Sequence, residues 1–349
     1  EIGLPLDLIL TRQNVGNGFS YVPVSSTSAP IANGNSVGGS SLTFADYYKG
    51  IQTNTAYYFM TDFNITNYLR FIGGVRNEIN IMTINTVTQR DTSGNPLSFV
   101  QTKSEQNALF PSANLVYKLN QESNIRAAYS QTTARPDFRE AVPLGYYDFV
   151  NFNNVIGNPN IKNTLIHNYD LRYEFFPKPQ EVISVTVFYK NFIDPIEQNL
   201  TDDGSGNFIV APVNLKSSQN LGFELDARKS LSFFRPTSKF FKDLYVYGNY
   251  SQMSSEVELA TSLSDSVKKD TRRRPLQGLS PYSINLGLIY NGNKYGFNLV
   301  YNRFGRRLLF QGDFAFQDIY ENPRDVVDIQ LYARALRNKM EIKLNISDI

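Results

Sequence analysis

The sequence contains no cysteine, no tryptophan and a single histidine, His167. Without Cys there is no disulfide framework and no thiolate metal site. One imidazole leaves nothing from which to build a multi-histidine metal centre or His-based catalysis. No apolar run approaches the roughly 18 residues that a membrane-spanning helix needs. That excludes helical spans but not a membrane barrel, whose strands need only about 9–11 residues, half of them facing lipid. A single-sign charge excess is missing too: 34 basic against 32 acidic residues give a formal charge of +2, so no nucleic-acid partner is expected. What the chain has is aromatic side chains, 22 Tyr and 25 Phe, and many of them recur with a period of two.

The stretch Thr164 to Phe192, TLIHNYDLRYEFFPKPQEVISVTVFYKNF, shows the pattern. Asp170, Arg172 and Glu174 share one parity, and Leu165, Tyr169, Leu171, Tyr173 and Phe175 the other. After the Pro177-Lys178-Pro179 break the alternation resumes, with Ile183, Val185, Val187 and Tyr189 apolar. A period of two means strands with one dry and one wet face. The same reading predicts strands over 56–65, 69–86, 106–119, 124–133, 164–176, 182–193, 215–231, 244–255, 279–291, 295–304, 325–335 and 339–348. No segment sustains a 3.6-residue period, so no long helix is expected.

The connections alternate in length. Those near 66–68, 120–123, 177–181, 291–294 and 336–338 are short, and 232–243 is intermediate. Those near 87–105, 134–163, 194–214, 256–278 and 305–324 are long. In strict up-and-down order all short turns fall at one end and all long loops at the other, as in outer-membrane barrels. The dry parity of the six best-patterned strands carries no Asp, Glu, Lys or Arg. The wet parity carries Asp170, Arg172, Glu174, Lys190, Glu224, Asp226, Arg228, Asp328, Arg334, Glu341 and Lys343. A charge facing mid-bilayer costs roughly 2–4 kcal/mol, whereas a wet lumen accepts it. A soluble antiparallel sheet on a core would alternate similarly. It would, however, need paired dry faces and connections of mixed length. Aromatics also gather near the short-turn ends, at Tyr117, Tyr173, Phe175, Phe176, Tyr290 and Tyr295, as rings do at a membrane boundary. The expected fold is therefore all-β, an antiparallel up-and-down transmembrane barrel. Residues 1–55, rich in Ser, Gly, Asn and Pro, read as mostly a long extracellular loop. The direction of the first and last strands requires at least one more strand on each side, so these twelve are expected to be part of a larger barrel, and the chain part of a longer or processed protein.

GGVRNE (73–78), LFPSANLVYKL (109–119), NIRAAYSQTTARPDFRE (124–140) and GNPNIKNTLIHNYDLRYEFFP (157–177) resemble successive barrel motifs of TonB-dependent outer-membrane receptors. So do VFYKNFIDPIEQ (187–198), LQGLSPYSINLGLIY (276–290) and MEIKLNISDI (340–349), in the family's order. The resemblance implies a barrel of roughly 22 strands in a Gram-negative outer membrane, in contact with lipid and lipopolysaccharide. It also implies extracellular loops that capture a scarce solute (a ferric siderophore, vitamin, peptide or glycan), an N-terminal plug domain, and coupling to an inner-membrane TonB complex. The TonB box, the plug and a closing strand with an aromatic C-terminus are not in this stretch. No cofactor, metal site or enzymatic activity is expected. A passive porin and a soluble surface-binding β-protein stand as alternatives.

Two sets of residues are candidates for function. Arg126, Asp170, Arg172, Glu174, Glu224, Asp226, Arg228, Arg334, Glu341 and Lys343 are expected to face the lumen and the plug. Arg135, Arg139, Tyr146, Tyr147 and Phe152 form the densest cluster, suited to stacking and to anionic groups. Its competing reading is structural, with Pro136 stopping a strand and Arg135 and Glu140 pairing with lumen or plug charges. Phe310, Phe314 and Phe316 are read either as a substrate-facing patch or as a small loop core. RRRP (272–275) reads as a solvated loop end, TDDGSGN (201–207) as a polar turn, and His167 as an interfacial side chain.

Overall fold

The computed structural model describes residues 48–90, 96–151, 153–202, 208–258, 274–312, 317–337 and 339–349. In chain order the first strands are β1 (Tyr48–Asn64), β2 (Leu69–Arg90), β3 (Pro96–Lys118), β4 (Ser123–Ala134), β5 (Gly145–Asp148), β6 (Asn153–Ile156), β7 (Thr164–Phe175), β8 (Val182–Ile193) and β9 (Ile196–Asp202). There follow β10 (Phe208–Asn214), β11 (Ser217–Ser230), β12 (Leu244–Glu258), β13 (Tyr282–Asn291), β14 (Tyr295–Phe304), β15 (Arg307–Gly312), β16 (Ile319–Glu321), β17 (Asp325–Ala335) and β18 (Met340–Ile346). Two single-turn helices, α1 (Phe138–Ala141) and α2 (Lys239–Lys242), complete the described elements with a 3-10 turn at Leu231–Phe233.

Twelve of these strands form one sheet in the order β1-β2-β3-β4-β7-β8-β11-β12-β13-β14-β17-β18. Every pairing within it is antiparallel. Each strand pairs with the wall strand before it, as up-and-down order requires, and the sheet is open with β1 and β18 at its edges. All twelve expected strands are present, and the short and long connections fall at opposite ends of the sheet. Two boundaries move. Residues 48–55 extend β1, because Tyr48–Thr55 pair residue by residue with Ile79–Thr86 of β2; residues 1–47 lie outside the described residues. The segment 87–105 is largely not a loop: β2 and β3 run for 22 and 23 residues and pair almost to their tips. Polar side chains such as Gln101, Lys103 and Glu105 in these extensions hide the strands from a hydrophobic pattern.

A second, six-stranded sheet in the order β16-β15-β9-β10-β6-β5 was not expected. It is built from three hairpins, one from each of three long connections. The hairpins β5-β6, β9-β10 and β15-β16 are antiparallel internally and meet edge to edge through short parallel pairings. The loop after β4 folds back on the wall. Ala141, Val142, Leu144 and Ile161 bury against Met82 and Ile84 of β2, with Tyr48, Phe138 and Ile196 packed around them. Gly50 permits this, since a Cβ there would lie 2.5 Å from the Phe138 ring. Met82 and Ile84 sit on the same parity as Glu78 and Asn80, so the polar face turns apolar where a loop covers it.

Candidate functional site

Register assigns the faces, because residues directly opposite in an antiparallel pair project from the same side. Arg126 lies opposite Arg172, which lies opposite Thr186, itself opposite Glu224. Glu174 lies opposite Ser184, which faces Asp226. The same tracing brings Asp170, Arg228, Arg334, Glu341 and Lys343 to that side. All ten residues of the first candidate set therefore share one face of the twelve-stranded sheet. Leu171, Tyr173, Val185, Leu225, Leu286 and Leu344 occupy the other face and are exposed there.

The polar face carries a continuous belt of hydrogen bonds and ion pairs. Arg126 Nε donates to Glu174 at 2.8 Å and Arg172 Nε donates to the same carboxylate at 3.1 Å. Arg172 Nη1 reaches Asp226 at 3.5 Å. Ser184 and Asn249 donate to Asp226 at 3.1 and 2.6 Å. Asn285 donates to Asn249, and Asn302 to Asn285, so the belt runs from β4 to β14. Nearer the long connections, Glu78 accepts from Asn54 at 3.0 Å and Arg76 at 2.9 Å, and pairs with Arg135. Arg135 thus ties the base of the loop to the wall.

The loop sheet carries a cleft of about 140 Å³ lined by Arg139, Glu140, Tyr146, Asp148, Asn153, Val155, Gln198, Val210, Pro212 and Phe310. Three hairpins and α1 contribute to it. Asp137 caps α1: its side chain accepts from Phe138 N while Glu140 accepts from Asp137 N at 2.8 Å, a reciprocal capping box. This fixes Arg139, whose guanidinium stands 5.6 Å from the Tyr146 ring centre. Glu140 also accepts from Gln198 Nε2 at 3.0 Å, tying α1 to β9. Asp148 accepts from the Asn151 amide at 2.7 Å and from Val150 N at 2.9 Å. Those bonds, the Asn151 side chain first, hold its carboxyl below the usual carboxylate range. The cleft offers a cation on an aromatic ring, a second ring from Phe310, two carboxylates and two amides. It suits a small moiety with a flat or apolar part and polar edges. Among the described residues no group of three or more His, Cys, Asp or Glu could hold a metal ion.

Of the loop candidates, Arg139, Tyr146 and Phe310 line this cleft. Tyr147, adjacent in the strand, belongs to the opposite side and packs edge-on against Phe149 at 4.9 Å. Phe152, Phe314 and Phe316 lie outside the described residues, as do Arg272 and Arg273. Asp148, Asn153, Val155, Gln198, Val210 and Pro212 were not anticipated. No local signal marks them: the runs Ile196–Asp202 and Phe208–Asn214 are seven residues each and show no period of two.

Arg274 corrects the expectation of a solvated RRRP segment. Its side chain is 7% exposed and grips the Glu197 carboxylate with both terminal nitrogens, at 3.2 and 2.6 Å. Gln277 N donates to Glu197 at 2.7 Å, and its side chain bonds the backbones of Gln198 and Leu309. A fourth long connection is thereby pinned to the loop sheet.

Residues 2–346 match the family model described as TonB dependent receptor-like, β-barrel. The chain belongs to this family. Its members are transport receptors of Gram-negative outer membranes, not enzymes. Solved structures share the receptor-barrel fold. The ferric-catecholate import receptor Fiu of E. coli K12 aligns with a TM-score of 0.61 at 15% identity, over 86% of this chain and 41% of that one. The ferric yersiniabactin uptake receptor FyuA of Yersinia pestis gives 0.58 at 16%, over 86% and 41%. The copper transporter OprC gives 0.59 at 12%, over 86% and 42%. This receptor-barrel chain thus spans about two-fifths of the length of these structures. Among curated proteins, none matches the sequence.

Proposed function

We propose that this chain is the C-terminal part of the barrel of an outer-membrane receptor that captures a scarce solute at its extracellular loops and imports it by TonB-coupled transport. The observation that carries this reading is the joining of four long loops into one body around a cleft, at one end of strands whose faces divide by polarity. The apolar face meets outer-membrane lipid, with lipopolysaccharide on the loop side. The belt from Arg126 to Asn302, with Arg228, Arg334, Glu341 and Lys343, lines the lumen and offers ion pairs and hydrogen bonds to an N-terminal plug. Further strands outside this chain close the sheet. Arg139, Tyr146 and Phe310 hold one moiety of the solute, since the cleft, at about 140 Å³, is small and drug-sized ligand pockets run to about 300–1,000 Å³. A ferric siderophore, a vitamin, a peptide and a glycan all present such moieties.

The test is conductance of the full-length protein in planar bilayers, paired with solute accumulation in cells with and without a functional TonB complex. A plugged receptor is closed at rest, and its uptake of 55Fe-loaded chelates or labelled cobalamin stops when TonB is lost. A persistently open pore, with uptake indifferent to TonB, would replace this reading with a passive porin.

A further inference from the structure

The connection between β11 and β12 is the longest at the short-turn end, and its composition is unlike that of its neighbours. It reads LSFFRPTSKFFKD, residues 231–243. Phe233, Phe234 and Phe240 are 54, 66 and 46% exposed, too much apolar surface to leave in water on a segment that has built two helical turns. The rings are not scattered. Phe297 and Tyr290, on the apolar face of the wall, stand 6.0 Å apart. Phe240 continues the row 4.8 Å from Tyr290, and Phe241 lies 5.5 Å from Phe240. Phe234 is 6.3 Å from Phe241 and Phe233 is 4.3 Å from Phe234. One unbroken row of rings leads from the membrane-facing surface onto the connection.

Three of the four charged residues of the same segment are basic. Arg235, Lys239 and Lys242 are exposed and form no ion pair among the described residues, and the only acid is Asp243. Lys229, at the end of β11, stands 6.0 Å from the Phe233 ring centre and bonds the buried Glu181 of the neighbouring turn at 3.2 Å. Exposed Lys178 and Lys294 in the adjacent turns widen the basic rim.

We infer that residues 231–243 are a docking surface for anionic phospholipid headgroups of the inner, periplasm-facing leaflet. The phenylalanines enter the acyl boundary, and Arg235, Lys239 and Lys242 bind phosphate. Exposed rings next to cations are what an interfacial segment needs, and neither feature alone would hold it there. Attraction to an anionic leaflet grows with each Lys or Arg near the surface. The continuity of the ring row with the apolar wall favours lipid over a soluble acidic protein, because the row lies where the bilayer edge must be. This inference rests on the membrane-barrel reading above.

The experiment places the photoreactive residue p-benzoylphenylalanine at position 234 or 240 of the full-length protein in cells and weighs the adducts. The expected products carry phospholipid masses, with phosphatidylglycerol and cardiolipin enriched over phosphatidylethanolamine relative to the membrane. In the Arg235→Gln, Lys239→Gln, Lys242→Gln variant, checked for folding by heat-modifiable migration, that enrichment falls by about fivefold or more. An adduct with a soluble protein, or lipid adducts without headgroup preference, would overturn the inference and leave the barrel intact. Recovery of the protein outside the membrane would remove both.

Discussion

Glu197 is the position where the loop architecture is most sharply testable. Its side chain is 1% exposed and accepts three hydrogen bonds, two from Arg274 and one from Gln277 N. In Glu197→Ala the Arg274 guanidinium stays buried with only the Gln311 side-chain oxygen and the Pro275 carbonyl as acceptors, while its Nε already lacks a partner. Removing one member of a buried pair costs about 3–5 kcal/mol. At 1.4 kcal/mol per tenfold change, that is a roughly hundred- to several-thousand-fold rise in the population of the opened loop. Amide hydrogen exchange reads this directly. Peptides covering 196–202, 208–214 and 274–279 exchange faster by about that factor, while the long ladders of β11 and β12 do not change. A double replacement, Glu197→Leu with Arg274→Met, restores most of the protection, because an apolar pair of similar volume carries no desolvation penalty. If Glu197→Ala left exchange in all three peptides within about threefold of the parent, the pair would not be what holds the loops together, and the argument from burial would be wrong.

Two further outcomes follow from the wall and the loop base. Leu225→Arg, on the apolar face and near the middle of β11, lowers folding stability in lipid vesicles by about 2–4 kcal/mol in urea titrations. Its neighbour Glu224→Gln, on the polar face, shifts the same titration by only about 0.5 kcal/mol. Gly157→Ala places a Cβ 2.0 Å from the Val142 carbonyl oxygen and 2.6 Å from that of Arg139; backbone cannot yield there as a side chain would. Limited proteolysis then cuts the 135–163 loop faster while the barrel core survives, and affinity for the imported solute falls with it.

Most of the wall was legible in the sequence because its strands alternate, whereas the polar long-loop ends of β1, β2 and β3 were not. Residues 164–193 alternate so regularly that face, turn and parity follow from the order of side chains alone, and register then joins Arg126, Glu174 and Asp226 as the parity suggested. The loop sheet was not legible for a physical reason. Its strands are three to seven residues long, too short for a period to emerge, and what stabilises them lies in other loops. Val155 pairs with Val210, and Gln311 with Asn199. Arg274 illustrates the limit: within RRRP it looks like any solvated cation, and the carboxylate that buries it is 77 positions away. Arg139 and Tyr146 could be nominated from local density. Their neighbours Gln198 and Val210 could not, since nothing near them in the chain marks a site.

The interlocking of the loops has a consequence for how such a protein diversifies. A hairpin that shares its edges with two others is not an independent cassette. A substitution that reshapes β9 is met at once by β10, β15 and the Arg274 segment, and is tolerated only if they already accommodate it. New specificity is then reached by correlated change across loops far apart in sequence. Grafting any single loop from one relative onto another carries half of an edge and none of its partner.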